Sequence, residues 1–357
     1  ELTQLHVYAS FPDVLRRFAK CVDGDYSITY LDGEGRLHAF SDPLGMRPLH
    51  YAENDDLFAV ASESSALMRT SLFSTHQVKP VRPGHVISYV DGKVSDDKFA
   101  SAKDLSHCTQ SLARCHFEFV YFMKRTSEFA GVSAHIFRTR LGHYLGISEP
   151  LLHDLVQRRD DFIVVPVPNT AKPAALEMAK VLGLRYAEGI EKEEESGRTF
   201  IDAAQKRHEA IEDKYLYLPE ILGGKDILLV DDSVVRGSTA KRLASDIKER
   251  GGAKRVHLRS TCPPIINPCP YAIDFPSSQE LLYNQHGSVE DIEQHFVHGG
   301  WFDSFRYQTL VNYLRAFDDV GLPRQDLCKG CLTGTYPTRG GQSLIDKILS
   351  EENRSGA

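Results

Sequence analysis

Apolar and polar positions follow two different rhythms along this chain of 357 residues. Near its start, Leu2, Leu5, Val7, Phe11, Leu15 and Phe18 recur at helical spacing and predict one or two short helices. Short strand-like runs follow at 26–31, 57–61 and 85–90, separated by turns rich in Gly and Asp. Residues 100–113 are polar and read as a connector. Beyond them the rhythm becomes strand, helix, strand. Residues 161–168 and 227–230 are runs of Val, Ile, Leu, Phe and Pro that suit strands buried on both faces, and 255–259 reads as a further strand. Residues 174–182 suit a helix, and 185–189 lead back toward the sheet. This alternation predicts a parallel sheet with helices on both faces and ligands at the carboxyl ends of its strands. Residues 278–317 look mainly helical, and no internal repeat or low-complexity tract is present.

One of these carboxyl ends carries unusual chemistry. After Ile227-Leu-Leu-Val230 come Asp231 and Asp232, then Ser233, then a small-residue loop with Arg236, Gly237, Ser238 and Thr239. Residues 240–250 have the apolar spacing of a helix. The open N–H groups of a helix N-terminus suit a phosphate, and two carboxylates at a strand end suit sugar hydroxyls or magnesium. No Gly-Lys-Ser/Thr ends the loop, so it is not a Walker loop. The acidic pair precedes the glycine, so it is not a dinucleotide fingerprint.

Composition narrows the class. The chain is 41% hydrophobic and 25% charged, as in soluble globular proteins, and long enough for two domains. Its net charge of −7 argues against a general nucleic-acid binder. No apolar run approaches membrane-spanning length and no signal peptide is visible at the start, so a cytoplasmic location is expected. Seven cysteines, an odd number in a large chain, fit free thiols or a metal centre better than a disulfide scaffold.

The acidic loop resembles the phosphoribosyl-pyrophosphate (PRPP) loop of type I phosphoribosyltransferases. Four further segments resemble one family in particular, the glutamine PRPP amidotransferases: Cys115-His-Phe-Glu-Phe-Val-Tyr-Phe122, Val165-Pro-Val-Pro-Asn-Thr170, Gly197-Arg-Thr-Phe-Ile201 and Cys331-Leu-Thr-Gly-Thr-Tyr-Pro-Thr338. Asp42-Pro-Leu-Gly-Met-Arg-Pro-Leu49 and Ala61-Ser-Glu-Ser64 are similar to the glutaminase half of that family. The matches keep the family's order. The resemblance implies an α/β chain: a partial αββα glutaminase domain of the N-terminal-nucleophile type at 1–105, then a type I phosphoribosyltransferase domain with a helical C-terminal extension at 106–357.

The reaction so implied is displacement of pyrophosphate from C1 of PRPP by ammonia, giving 5-phosphoribosylamine, the first committed step of purine synthesis. Asp231 and Asp232 would hold the ribose hydroxyls, directly or through Mg2+, and Ser233 to Thr239 would cradle the 5-phosphate. Asn169, Thr170, Ala171 and Lys172 would form the pyrophosphate loop, with Thr170 also facing the metal; Lys172 suits a solvated helix start equally well. Lys192 and Arg198 stand in the loop that closes over PRPP in the family. Glu193, Glu194 and Glu195 lie between them, where the family is polar and basic. They read as a solvated acidic loop or as a cause of weakened PRPP affinity. The family further implies purine nucleotides as inhibitors and a homo-oligomer, commonly a tetramer.

Cys115, Cys269, Cys328 and Cys331 stand where one subgroup of the family binds a [4Fe–4S] cluster. Four thiolates suit iron–sulfur or tetrahedral zinc, and the resemblance favours iron–sulfur. Cys21, Cys108 and Cys262 read as ordinary thiols. Arg47 and Glu63 match family positions and read as fold supports. The family's N-terminal catalytic cysteine has no counterpart at Glu1, and the glutaminase resemblance begins near that domain's middle. The expectation is a fragment of a longer protein, or else a degenerate glutaminase domain, that uses ammonia and not glutamine. Two other readings are a phosphoribosyltransferase with a different acceptor and a PRPP-binding regulator without catalysis.

Overall fold

The computed structural model describes residues 10–192, 215–271, 273–275 and 277–355. The apolar positions Leu2, Leu5 and Val7, the acidic run Glu193–Glu195, and Gly197 and Arg198 fall outside the described residues. The chain forms two compact units. One takes residues 1–135, 265–281 and 317–357, the other 136–264 and 282–316. These units cut across a single boundary between 105 and 106. Part of the reason is that the stretch read as a connector packs into the first unit. Ala102, Leu105 and Ala113 are buried there. The Thr109 amide donates to the Pro337 carbonyl, and the Ala113 amide to that of Leu44, both at 2.9 Å.

The first unit is layered by strand alternation. The antiparallel strands Ser27–Leu31, Leu37–Ser41, His85–Val90 and Lys93–Lys98 form one sheet in that order. Phe58–Ala61, His50–Glu53 and Val78–Pro80 form a second. Successive side chains on a strand face opposite ways. Ala39 and Ile87 therefore pack with Leu49 and Tyr51 between the sheets. Their neighbours Phe40 and Val86 face the other way, onto Leu15 and Ala19 of the helix Phe11–Cys21. Ala52, beside Tyr51, turns outward onto Leu67 of the short helix Ser64–Met68. The order is helix, sheet, sheet, helix, the αββα arrangement.

The second unit is built on a five-stranded parallel sheet, in the order Arg185–Tyr186, Phe162–Pro166, Asp226–Asp231, Arg255–Ser260, Ser304–Tyr307. Alternation again separates two faces. Ile163, Val165, Ile227, Leu229, Val256 and Leu258 meet Leu243, Ala244 and Ile247 of the helix Ser238–Glu249 and Phe296 of the helix Val289–His298. Phe162, Val164, Leu228 and Val230 meet Ala174, Ala175 and Met178 of the helix Lys172–Leu182. Each of the Val, Leu, Ile, Phe and Met side chains contributes about 1.5–3 kcal/mol on burial. The helix Ala134–Ile147 comes very close to Lys172–Leu182. A Cβ on Gly142 would stand 2.0 Å from the Ala174 carbonyl oxygen, so only glycine permits that approach.

Residues 278–317 are less helical than their sequence suggests. Gly299 and Gly300 follow the helix Val289–His298, and the edge strand Ser304–Tyr307 then joins the sheet with Phe305 and Tyr307 buried and Arg306 exposed. No helix among the described residues is long and apolar enough to cross a membrane.

Candidate functional site

The strand order of the second unit creates a crevice. From Phe162–Pro166 the chain passes to the strand on one side, and from Asp226–Asp231 to the strand on the other. The loops leaving these adjacent strands therefore diverge, opening a cleft at their carboxyl ends, where such sheets take ligands. Residues 167–171 and 232–237 form the two loops.

Asp231 ends its strand in register with Ser260. Its carbonyl accepts the Thr261 amide at 2.9 Å, and its Oδ1 accepts the amide of Asp232 at 2.8 Å. The Asp232 carboxylate takes the Ser233 hydroxyl at 2.8 Å, and Thr170 of the other loop favours its ionised form. Burial pushes the Asp232 carboxyl up to about 6, against the pull of Ser233, Arg138 and Thr170. The Asp232 carbonyl is held separately, by the Thr261 hydroxyl and the Cys262 amide, each at 3.0 Å.

Past the acidic pair, Gly237 adopts φ +81°, and a Cβ there would come 3.1 Å from the Phe296 ring and 3.3 Å from Leu282. Glycine is thus demanded both by conformation and by space. It opens the helix Ser238–Glu249, whose start has no side-chain cap, and the first intrahelical bond there runs from the Lys241 amide to the Gly237 carbonyl. The preceding amides remain for an anion. Arg236, Ser238 and Thr239 are exposed beside it. Asn169 is exposed and Thr170 half-buried. Lys172, in the first turn of its helix, pairs with Glu188 at 2.7 Å; the other Glu188 oxygen takes the Tyr186 hydroxyl at 2.8 Å. Lys192 is exposed at the end of the strand Ile190–Lys192, which pairs with Tyr215–Tyr217.

Sequence reasoning passed over Arg138 and Thr261. Arg138 is a buried cation whose charge favours ionised Asp232. Its signal was an arginine among apolar positions of the 134–147 helix. Thr261 directly follows the strand that neighbours the acidic pair, a position legible only once the strand order is known.

The four singled-out cysteines lie in the first unit. Cys115 and Cys328 are register partners in the parallel pairing of Arg114–Cys115 with Leu327–Cys328. Cys331 follows in the short helix Gly330–Thr333, its sulfur 3.0 Å from Nε2 of buried His116. The Cys269 sulfur accepts the Tyr271 amide at 3.3 Å. Burial pushes the Cys115 thiol up to about 12 and that of Cys328 well above its usual range; a charge on Cys115 or Cys269 would raise Cys328 further. Charges on Cys331, Cys269 and Cys328 all act on Tyr336, and Cys115 is the register partner of Cys328, so the four lie in one region of the first unit. Among the described residues, no three His, Cys, Asp or Glu side chains converge tightly enough to hold a single metal ion. Beside this core, Arg47 donates to Asp25 at 2.6 Å, Glu118 at 2.9 Å and the Tyr271 carbonyl at 2.5 Å. Glu63 accepts the Lys124 amide at 2.8 Å and the Ser127 hydroxyl at 2.6 Å, a structural brace.

An acidic pair and an uncapped helix start at the switch point of a parallel sheet mark the phosphoribosyltransferase class, and an αββα unit in the same chain marks a glutamine amidotransferase. Known proteins agree. Residues 3–69 match the model of a glutamine amidotransferase domain. The chain is 32% identical over 349 residues to the amidophosphoribosyltransferase of Methanocaldococcus jannaschii, covering 95% of this chain and 69% of that one. It is 32% identical to that of Mycobacterium tuberculosis, of which it covers 60%. Among solved structures, the glutamine PRPP amidotransferase from B. subtilis complexed with ADP and GMP aligns with a TM-score of 0.75 at 26% identity, over 95% of this chain and 70% of that one. The chain belongs to the amidophosphoribosyltransferase family, and it spans 60% to 70% of the length of these three relatives.

Proposed function

We propose that this chain carries the phosphoribosyl-transfer half of the family's reaction. Ammonia attacks C1 of PRPP; the C1–N bond forms as the bond from C1 to the pyrophosphate oxygen breaks, and the new amine loses a proton to solvent. The observation that carries this reading is the acidic pair Asp231–Asp232 at the carboxyl end of the strand Asp226–Asp231, followed by Gly237 at φ +81° and the uncapped start of the helix Ser238–Glu249. In this reading Asp231 and Asp232 orient the ribose hydroxyls, and Ser233, Arg236, Gly237, Ser238 and Thr239 hold the 5-phosphate. Asn169, Thr170 and Lys172 receive the pyrophosphate, and Lys192 and Arg198 belong to the closing loop. Holding both ends of the substrate still lowers the barrier by positioning alone. The oxygens of Asp231, Asp232 and Thr170 are hard donors that suit Mg2+, which when bound supplies positive charge to the leaving pyrophosphate.

The cysteines Cys115, Cys269, Cys328 and Cys331 are proposed as ligands of a [4Fe–4S] cluster. Four thiols, three of them buried and that of Cys269 half-buried, suit a cluster that takes one thiolate per iron, and the family resemblance favours it over zinc. Purine nucleotides as inhibitors and a homo-tetramer come from the family with the same reading; the B. subtilis relative is complexed with ADP and GMP.

The test is to incubate the anaerobically prepared chain with PRPP and Mg2+ and to follow pyrophosphate release with ammonia and, separately, with glutamine. Magnesium-dependent release with ammonia is expected. No release with either donor, together with no binding of PRPP, would sink the reading.

A further inference from the structure

The acidic pair is held from behind by a residue of the neighbouring strand. Past the last register pair, Asp231 with Ser260, the two chains stay bonded. The Thr261 amide donates to the Asp231 carbonyl, and the Thr261 hydroxyl to the Asp232 carbonyl. Thr261 thus binds the backbone of both acids, through two different groups. It is 2% exposed and cannot reach a substrate in the crevice. Ser260, fully buried, turns its hydroxyl onto the Cys262 carbonyl at 2.8 Å, which fixes the peptide units on either side of Thr261.

We infer that Thr261 is a positioning residue for phosphoribosyl transfer: its hydroxyl sets the peptide plane after Asp232 and so the aim of the Asp232 carboxylate. This rests on the phosphoribosyl-transfer reading of the crevice. A carbonyl held by one donor can swing about it, whereas two donors from different directions fix its plane. The Asp232 carbonyl has two, the Thr261 hydroxyl and the Cys262 amide. Removing the hydroxyl leaves the amide in place, so no buried carbonyl is orphaned and the fold survives; only the orientation is loosened. Small misplacements of groups that orient a substrate reduce rate and affinity steeply.

The experiment compares Thr261→Val, of nearly the same shape, with Thr261→Ser, which keeps the hydroxyl. Ammonia-dependent pyrophosphate release and calorimetric binding of PRPP with Mg2+ are measured on the full chain. T261V is expected to lower kcat/KM for PRPP about tenfold, mostly through KM, with KM for ammonia unchanged and the thermal midpoint nearly so. T261S is expected to restore most of the loss. Unchanged PRPP binding and turnover in T261V would overturn the inference, as would T261S being as impaired as T261V, since packing and not the hydroxyl would then matter. If the unsubstituted chain neither binds PRPP nor releases pyrophosphate, the crevice is not a PRPP site and the inference falls with that reading.

Discussion

The crevice of the second unit and the cysteine core of the first are assembled on opposite plans. The crevice is made largely from two short stretches, 167–172 and 231–239, each folded by its own strand end and helix start. The cysteine core gathers residues 115, 269, 328 and 331, brought together only by tertiary packing. The crevice spends few buried contacts and leaves its polar groups partly open. The core packs Cys328 and Cys269 against Leu44, Met46, Tyr271 and Tyr336. A site built locally is vulnerable to changes in its own side chains, whereas a site built by packing shares its fate with the stability of the whole unit.

That contrast is broken most forcefully at Asp231. Asp231→Asn is expected to lower ammonia-dependent turnover on the order of a hundredfold or more while the thermal midpoint stays within about 2 °C. A large loss of stability would show that the crevice, too, depends on the fold as a whole.

Cys328→Ser is the matching change in the core. After anaerobic reconstitution it is expected to lose most of its bound iron and sulfide and several kcal/mol of stability, because a bound centre stabilises the fold that holds it. The same change at exposed Cys21 should alter neither. Full iron content in C328S would remove it from the ligand set.

A third test uses two acids, buried Asp42 and half-buried Asp232. Burial pushes the Asp42 carboxyl up to about 7, although the Leu44 and Met46 amides donate to it. The unfolded chain loses this proton near 3.8, so between about pH 4 and pH 7 the folded state binds more protons. Its stability therefore falls as pH rises through that window. Asp42→Asn should flatten this slope, gaining on the parent chain by about 1–4 kcal/mol between pH 4 and pH 7.5 in denaturant titrations. Parallel pH profiles would disprove the assignment. Asp232, pushed up to about 6, adds its own slope but is also available to a ligand: binding to its ionised form should weaken about tenfold per pH unit below 6.

The smallest effect is expected at Lys172. Its pair with Glu188 is partly exposed, so Lys172→Ala should change stability by less than about 1 kcal/mol and weaken PRPP by no more than about tenfold. A hundredfold loss would place it with the acidic pair.

The contrast also explains what the sequence disclosed. The strands at 162–166 and 226–231 were legible because apolar residues run through them with both faces buried, and 255–260 because Val256 and Leu258 alternate with polar residues. The edge strand Lys93–Lys98 was not, because nearly all of it faces solvent and carries Lys, Ser and Asp. Ser304–Tyr307 was hidden by its brevity between two helices. In the crevice, Asp231, Asp232 and Gly237 announced themselves by contiguity. Thr261 did not, since its contacts depend on which strand lies next to which. The four cysteines carried no local signal at all beyond Cys328-Lys-Gly-Cys331, and only the family resemblance singled out the set.

The discontinuity of the first unit has a consequence for biosynthesis. During vectorial synthesis the second unit has all its residues once 316 has emerged, but the first must wait for 317–355 to supply two of the four singled-out cysteines. At about 5–20 residues per second the delay is a few seconds. Through that interval Cys115 and Cys269 exist on the nascent chain without Cys328 and Cys331. The order of translation thus dictates that any metal centre here is a late acquisition, made after the crevice residues have all left the ribosome.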